Sequence, residues 1–332
     1  RQATRAKALD AVRGVLPAAS LSNLGIYGTG QGYEALLLRM RGHALPEARQ
    51  YAEMMLIELR KVVPSFLKRV DVADRGGKWT EYLIGRQQQT LELVDEYFGA
   101  LEPQDAQEVV LTDFDPDGED KLLAAICYSS SHLSEQQLLK EVRSLSHEQR
   151  VNLIRAYVGE RENRRHKPGR AFERIDYRFD VLGDYGAFRD LQRHRLLTIE
   201  WQRLTPHHGF IRPELVAESG AGEAFDEAMH RSSELYDALL PEYPSQAPYA
   251  VSMAYRMRYV MQFNAREAIH MLELRSSPQG HPSYRRVAIE MHRQIGEKAG
   301  HRAIADAMIH IVKNAPELER LDSERKAEAK RK

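Results

Sequence analysis

The stretch Ile175–Val181 constrains the fold more than any other part of the chain. Ile175, Tyr177, Phe179 and Val181 alternate with Asp176, Arg178 and Asp180. A period of two marks a strand with one buried face and one wet face. Such a strand, expected over 173–182, requires a sheet. Val109-Val110-Leu111 predicts a shorter strand that ends at the turn Asp115-Pro116-Asp117-Gly118. Apolar residues elsewhere recur at helical intervals. They predict helices from Pro46 to Pro64, from Trp79 to Phe98, around Leu122–Tyr128, and over 185–204, 223–240, 252–275 and 285–312. The expected class is α+β, an antiparallel sheet flanked by long helices.

Composition narrows the functional classes. Lys+Arg and Asp+Glu each number 48, so no net field draws the chain onto nucleic acid or anionic lipid. Cys127 is the single cysteine, which excludes an internal disulfide framework and suits a reducing cytoplasm. No apolar run approaches the roughly 20 residues of a membrane span. No signal peptide is visible, and the start at Arg1 rather than Met leads us to expect further chain upstream. A length of 332 residues allows about two domains.

The segment richest in chemistry is Gln192-Arg193-His194-Arg195-Leu196-Leu197-Thr198. Arginine suits phosphate because its planar fork bonds two oxygens at once. On a helix, His194 and Thr198 would share a face, with Arg193 and Arg195 to either side. Taken alone, such a tripeptide is most simply a solvated basic surface.

Together with more distant motifs, the segment resembles the flavin-dependent thymidylate synthases. Arg193-His194-Arg195, with Thr198 in the serine position, resembles the R-H-R-x-x-S signature of that family. Asn264-Ala265-Arg266 matches its N-A-R, and Leu274-Arg275 its L-R at the same spacing. Near the N-terminus, Arg13-Gly14-Val15-Leu16-Pro17 is similar to A-R-x-V-L-P, and Leu38-Arg39 again to L-R. The order of motifs implies a tandem duplication. Residues 1–100 resemble the C-terminal half of a first unit, with the other half expected upstream of Arg1, and 105–312 resemble a complete second unit. Residues 313–332, almost all charged or small, read as a disordered tail.

The resemblance implies a reaction and a division of labour. The reaction is reductive methylation of dUMP to dTMP, with FAD as cofactor, NADPH as reductant and methylenetetrahydrofolate as one-carbon donor. Arg193, His194, Arg195, Asn264 and Arg266 would hold FAD. Arg13, Arg39 and Arg275 would hold the nucleotide, and Thr198 would take the catalytic place. Sites shared between subunits imply a homo-oligomer, here a dimer of duplicated chains. The flavin route needs no protein thiolate, which fits Cys127 reading as a small core residue.

The chain also departs from the family. Asp190 replaces a glutamine that contacts nucleotide, and Glu200 and Trp201 replace Asn-Glu. Thr205-Pro206 replace Arg-Tyr, and Pro248 replaces the phosphate arginine of the second unit. Three classes therefore stand open: an active synthase, a degenerate binder of flavin or nucleotide, and an α+β protein without ligand. Other features read more simply. Gly25/Gly28/Gly30/Gly32 lack the sequence of a phosphate loop, His207-His208 lack further metal ligands, and Arg161–Arg170 reads as a solvated loop. Met253, Met257 and Met261 read as core, and no metal is expected.

Overall fold

The computed structural model describes residues 2–104, 107–313 and 329. The tail expected over 313–332 therefore lies almost wholly outside the described residues. The helices are α1 (Gln2–Val12), α2 (Gly30–Arg41), α3 (Pro46–Arg60), α4 (Pro64–Leu67), α5 (Lys78–Phe98), α6 (Gly118–Tyr128), α7 (Glu135–Val142) and α8 (His147–Val158). They continue with α9 (Tyr185–Leu191), α10 (Glu214–Glu218), α11 (Gly222–Leu239), α12 (Ala265–Arg275), α13 (Pro282–Glu297) and α14 (Arg302–Asp306). The strands are β1 (Val109–Phe114), β2 (Asp176–Asp184), β3 (Leu197–Trp201) and β4 (Arg256–Asn264).

Contacts divide the chain into two compact units. One comprises Ala19–Asp105 with Leu239–Ala247. It has a small core of Leu37, Ala52, Leu56, Leu67 and Val70 among its helices. The other comprises Arg1–Ala18, Ala106–Ala238 and Pro248–Lys332, and it carries the sheet. These units are defined by packing, whereas the 1–100 and 105–312 repeats are defined by motif order. The spans differ at Arg1–Ala18.

All four strands pair antiparallel in the order β1-β2-β4-β3. The alternation that predicted β2 is realised: Ile175, Tyr177, Phe179 and Val181 are fully buried. They join Met257, Tyr259, Met261 and Phe263 of β4 in one apolar layer with α6, α12 and α13. The opposite face carries polar pairs, with Arg258 Nη1 donating to Asp180 Oδ2 at 3.1 Å and Arg178 to Gln262 at 3.2 Å. The edge strand β1 is covered by α13. Gln294 accepts from Leu111 N–H at 2.6 Å and donates to the Val109 carbonyl at 2.7 Å, satisfying backbone that would otherwise invite another strand.

Two helical expectations are corrected. The span 252–275 is not one helix, because 256–264 form the central strand β4 and only 265–275 are helical. Met257 and Met261 are four apart, which fits one helix face and one strand face equally. The strict alternation of Tyr255, Met257, Tyr259, Met261 and Phe263, all buried, is what tertiary packing selected. Likewise 185–204 holds α9, a connector and β3, so Arg193–Arg195 are not helical. Arg161 is also not solvated. It is buried in a bidentate pair with Glu273 at 2.8 and 2.7 Å and donates to the Ala307 carbonyl at 3.0 Å.

Candidate functional site

Three arginines from separate parts of the sheet-bearing unit converge on Asp190. Asp184, at the end of β2, caps α9 by accepting the Ala187 N–H at 2.8 Å. That short helix places Asp190 near its last turn and releases the chain into the 192–196 connector. Arg193 Nη1 lies 3.3 Å from Asp190 Oδ1. Arg275, the last residue of α12, places Nη1 at 3.6 Å from the same oxygen. Arg13, in a 3-10 turn after α1, places Nη2 at 3.5 Å from Asp190 Oδ2 and Nη1 at 3.8 Å from Asp10. Three cations around one carboxylate leave a net positive site suited to an anion. Sequence spacing alone does not bring residues 13, 193 and 275 together.

Behind the arginines lies a buried polar chain. His194 is 8% exposed. Its Nε2 lies 3.0 Å from Arg275 Nε, a group that can only donate, so Nε2 accepts. The proton of the neutral ring then sits on Nδ1 and is donated to Glu267 Oε1 at 3.0 Å. His270 Nδ1 approaches both Glu267 oxygens at 3.2 Å. Burial by itself would raise the Glu267 pKa, but the bonds from His194 and His270 outweigh it and hold the carboxyl at about 2. Asn264 caps α12 by accepting the Glu267 N–H at 2.9 Å, which fixes the carboxylate's position. Sequence reading missed Glu267 and His270. Their spacing of three on α12, just after Asn264-Ala265-Arg266, was the available signal.

His194, Glu267 and His270 bring three ligand-type atoms within 4.8 Å of one another. The hydrogen bonding does not fit a cation there. Arg275 occupies Nε2, so the Nδ1 that would face a metal carries the proton instead of a lone pair.

The remaining sequence-derived residues have varied settings. Arg195 is exposed on the connector, with no hydrogen-bond or ion-pair partner among the described residues. Thr198 is exposed on β3, opposite Gln262 of β4. Arg266 donates to the Pro168 carbonyl at 2.8 Å and to Glu173 at 3.1 Å, so its guanidinium is engaged away from Asp190's partners. Arg39 belongs to the other unit, exposed in the last turn of α2. Cys127 is half-buried on α6, and burial pushes its thiol pKa up. Among the described residues, no helix is long and apolar enough to cross a membrane.

Comparison with known proteins adds a family. The family described as thymidylate synthase complementing protein (Thy1) matches residues 109–314. UPF0159 proteins of Chlamydia pneumoniae and Chlamydia muridarum are each 38% identical over 292 residues, covering 88% of this chain and 55% of theirs. The UPF0159 protein Ta1429 of Thermoplasma acidophilum is 30% identical over 328 residues, covering 98% of this chain and 63% of its own. The chain thus spans less than two thirds of the length of these relatives. Thymidylate synthase X from Helicobacter pylori, solved with FAD and dUMP, is 19% identical with a TM-score of 0.44, covering 61% of this chain and 99% of that one. The UMP/dUMP methylase PolB from Streptomyces cacaoi, bound with 5-Br dUMP, is 18% identical with a TM-score of 0.47, covering 65% and 100%.

Proposed function

The chain belongs to the thymidylate synthase complementing protein (Thy1) family, and from that premise we propose that it is an FAD-dependent thymidylate synthase acting on dUMP. The observation that carries the proposal is the convergence of Arg13, Arg193 and Arg275 on Asp190. Arg13 and Arg275 are the residues that the resemblance assigns to the nucleotide, and Arg193 is one it assigns to the flavin. In this reading the phosphate of dUMP takes over the arginines that Asp190 now neutralises. Arg193 and the unpartnered Arg195 face the flavin's phosphates. The fit to the anionic part of FAD is good, because both side chains are exposed cations. His194 acts from behind, holding Arg275 by its Nε. Reduced flavin supplies the hydride when bound, with NADPH as its reductant and methylenetetrahydrofolate as carbon donor. The chain's own residues bind and orient. Tandem duplication, a homo-oligomer of duplicated chains and a cytoplasmic setting complete the proposal.

A specific observation favours a second reading, that of a flavin- or nucleotide-binding member without catalysis. Asp190 already neutralises part of the arginine cluster, and Trp201 stands exposed at the end of β3. The deciding experiment is a visible absorption spectrum with FAD added, followed by titration with dUMP. A flavin band that shifts with dUMP, lost in Arg193→Ala, and dTMP formation with NADPH and methylenetetrahydrofolate would support the synthase. A flavin band indifferent to dUMP would favour the second reading. No flavin binding in excess FAD would refute both.

A further inference from the structure

A cavity of about 430 Å³ opens beside Arg13, within the sheet-bearing unit, and holds polar groups that the flavin reading does not use. Its volume is that of a small-molecule site. Asp184 lines it, 7% exposed, with Oδ1 spent on the α9 cap and Oδ2 without a partner. A buried carboxylate oxygen left unbonded is costly, and a ligand donor would satisfy it. His281 lines the same space as the cap of α13, its Nδ1 accepting the Ser283 N–H at 3.3 Å. The proton of the neutral ring is therefore on Nε2. Burial holds the His281 pKa below the ordinary histidine value although the nearby Asp184 charge pulls it up; Asp10 also pulls it up, while Arg13 and Arg286 push it down.

The charges choose between ligand types. Asp10, Asp184, Glu214 and Glu218 face Lys7, Arg13 and Arg286 across the cavity. Four carboxylates against three cations disfavour a bare inorganic anion. They suit a molecule that presents hydrogen-bond donors at one end and negative charge at the other. An acceptor and a donor together, Asp184 Oδ2 and His281 Nε2–H, match the N–H and C=O of a cyclic amide.

We propose that this cavity binds a heterocycle with a lactam or imide edge and an anionic substituent. The ring N–H donates to Asp184 Oδ2, its carbonyl accepts from His281 Nε2–H, and Arg13, Arg286 and the amino end of α13 take the negative group. Uracil nucleotides, flavin mononucleotide and folates share this edge. If the ligand is dUMP, the inference deepens the reading above, with which it shares Arg13.

The test is calorimetric titration of the wild type and Asp184→Asn with dUMP, FMN, folic acid and inorganic phosphate. Asparagine keeps a carbonyl oxygen for the α9 cap and turns the cavity-facing acceptor into a donor, so the thermal midpoint should hold while binding does not. At least one heterocycle should bind the wild type and weaken about 10- to 100-fold in the variant, with phosphate binding neither. Failure of all three to bind the wild type, or equal binding by both proteins, would overturn the inference. FAD absorbance recorded in parallel separates the two proposals. Flavin bound without a cavity ligand sinks this one alone, and a cavity ligand without bound flavin sinks the flavin reading alone.

Discussion

Replacing Glu267 with glutamine should destabilise the sheet-bearing unit by about 3 kcal/mol at neutral pH. The carboxylate is 4% exposed and accepts from two histidines. Its pKa falls from 4.5 in the unfolded chain to about 2 in the fold. That displacement corresponds to about 3 kcal/mol of stability. An independent route, two charge-assisted hydrogen bonds reduced to neutral ones, gives about the same size. The sign follows from the lowered value. The contribution is complete above pH 4.5 and disappears as pH falls towards 2, because the unfolded chain takes up the proton first. Urea unfolding of both proteins between pH 7 and pH 3 measures it. The gap should be about 3 kcal/mol at pH 7 and should narrow by about 1.4 kcal/mol per pH unit below 4.5. A gap under about 1 kcal/mol at pH 7, or one constant to pH 3, would refute the assignment of Glu267 as an ionised acceptor for His194 and His270.

Two further perturbations probe the other charged clusters. Arg161→Met should cost about 3–5 kcal/mol in urea unfolding, because it strands the Glu273 carboxylate in the interior; the double variant Arg161→Met/Glu273→Leu should recover much of the loss. Asp190→Asn frees Arg13, Arg193 and Arg275 of their internal anion, so dUMP affinity measured by calorimetry should rise about tenfold at low salt, with the gain shrinking as salt is added.

Where the chain's local pattern had one solution, the fold was legible in the sequence. β2 is the clearest case, since only a strand buries Ile175, Tyr177, Phe179 and Val181 together. Helix α5 was also legible, running Lys78–Phe98 against an expected Trp79–Phe98. β4 was misread because a spacing of four suits helix and strand alike. The 192–196 connector was read as helix because charged residues carry no period. Its true end is set downstream, where Leu197 and Ile199 alternate with exposed Thr198 and Glu200 at the sheet edge.

The amino-acid sequence by itself determined the α+β class, the position of β2, and the family, through motifs whose residue types and order are local properties. Tertiary structure alone decided which arginines meet. Arg13, Arg193 and Arg275 lie far apart in the chain and gather at Asp190 because α1, α9 and α12 pack into one unit. It also decided that His194 turns inward to hold Arg275, and that Arg161 pairs with Glu273 in the interior. A buried charge is placed by the partners that compensate its lost hydration, and those partners come from elsewhere in the chain.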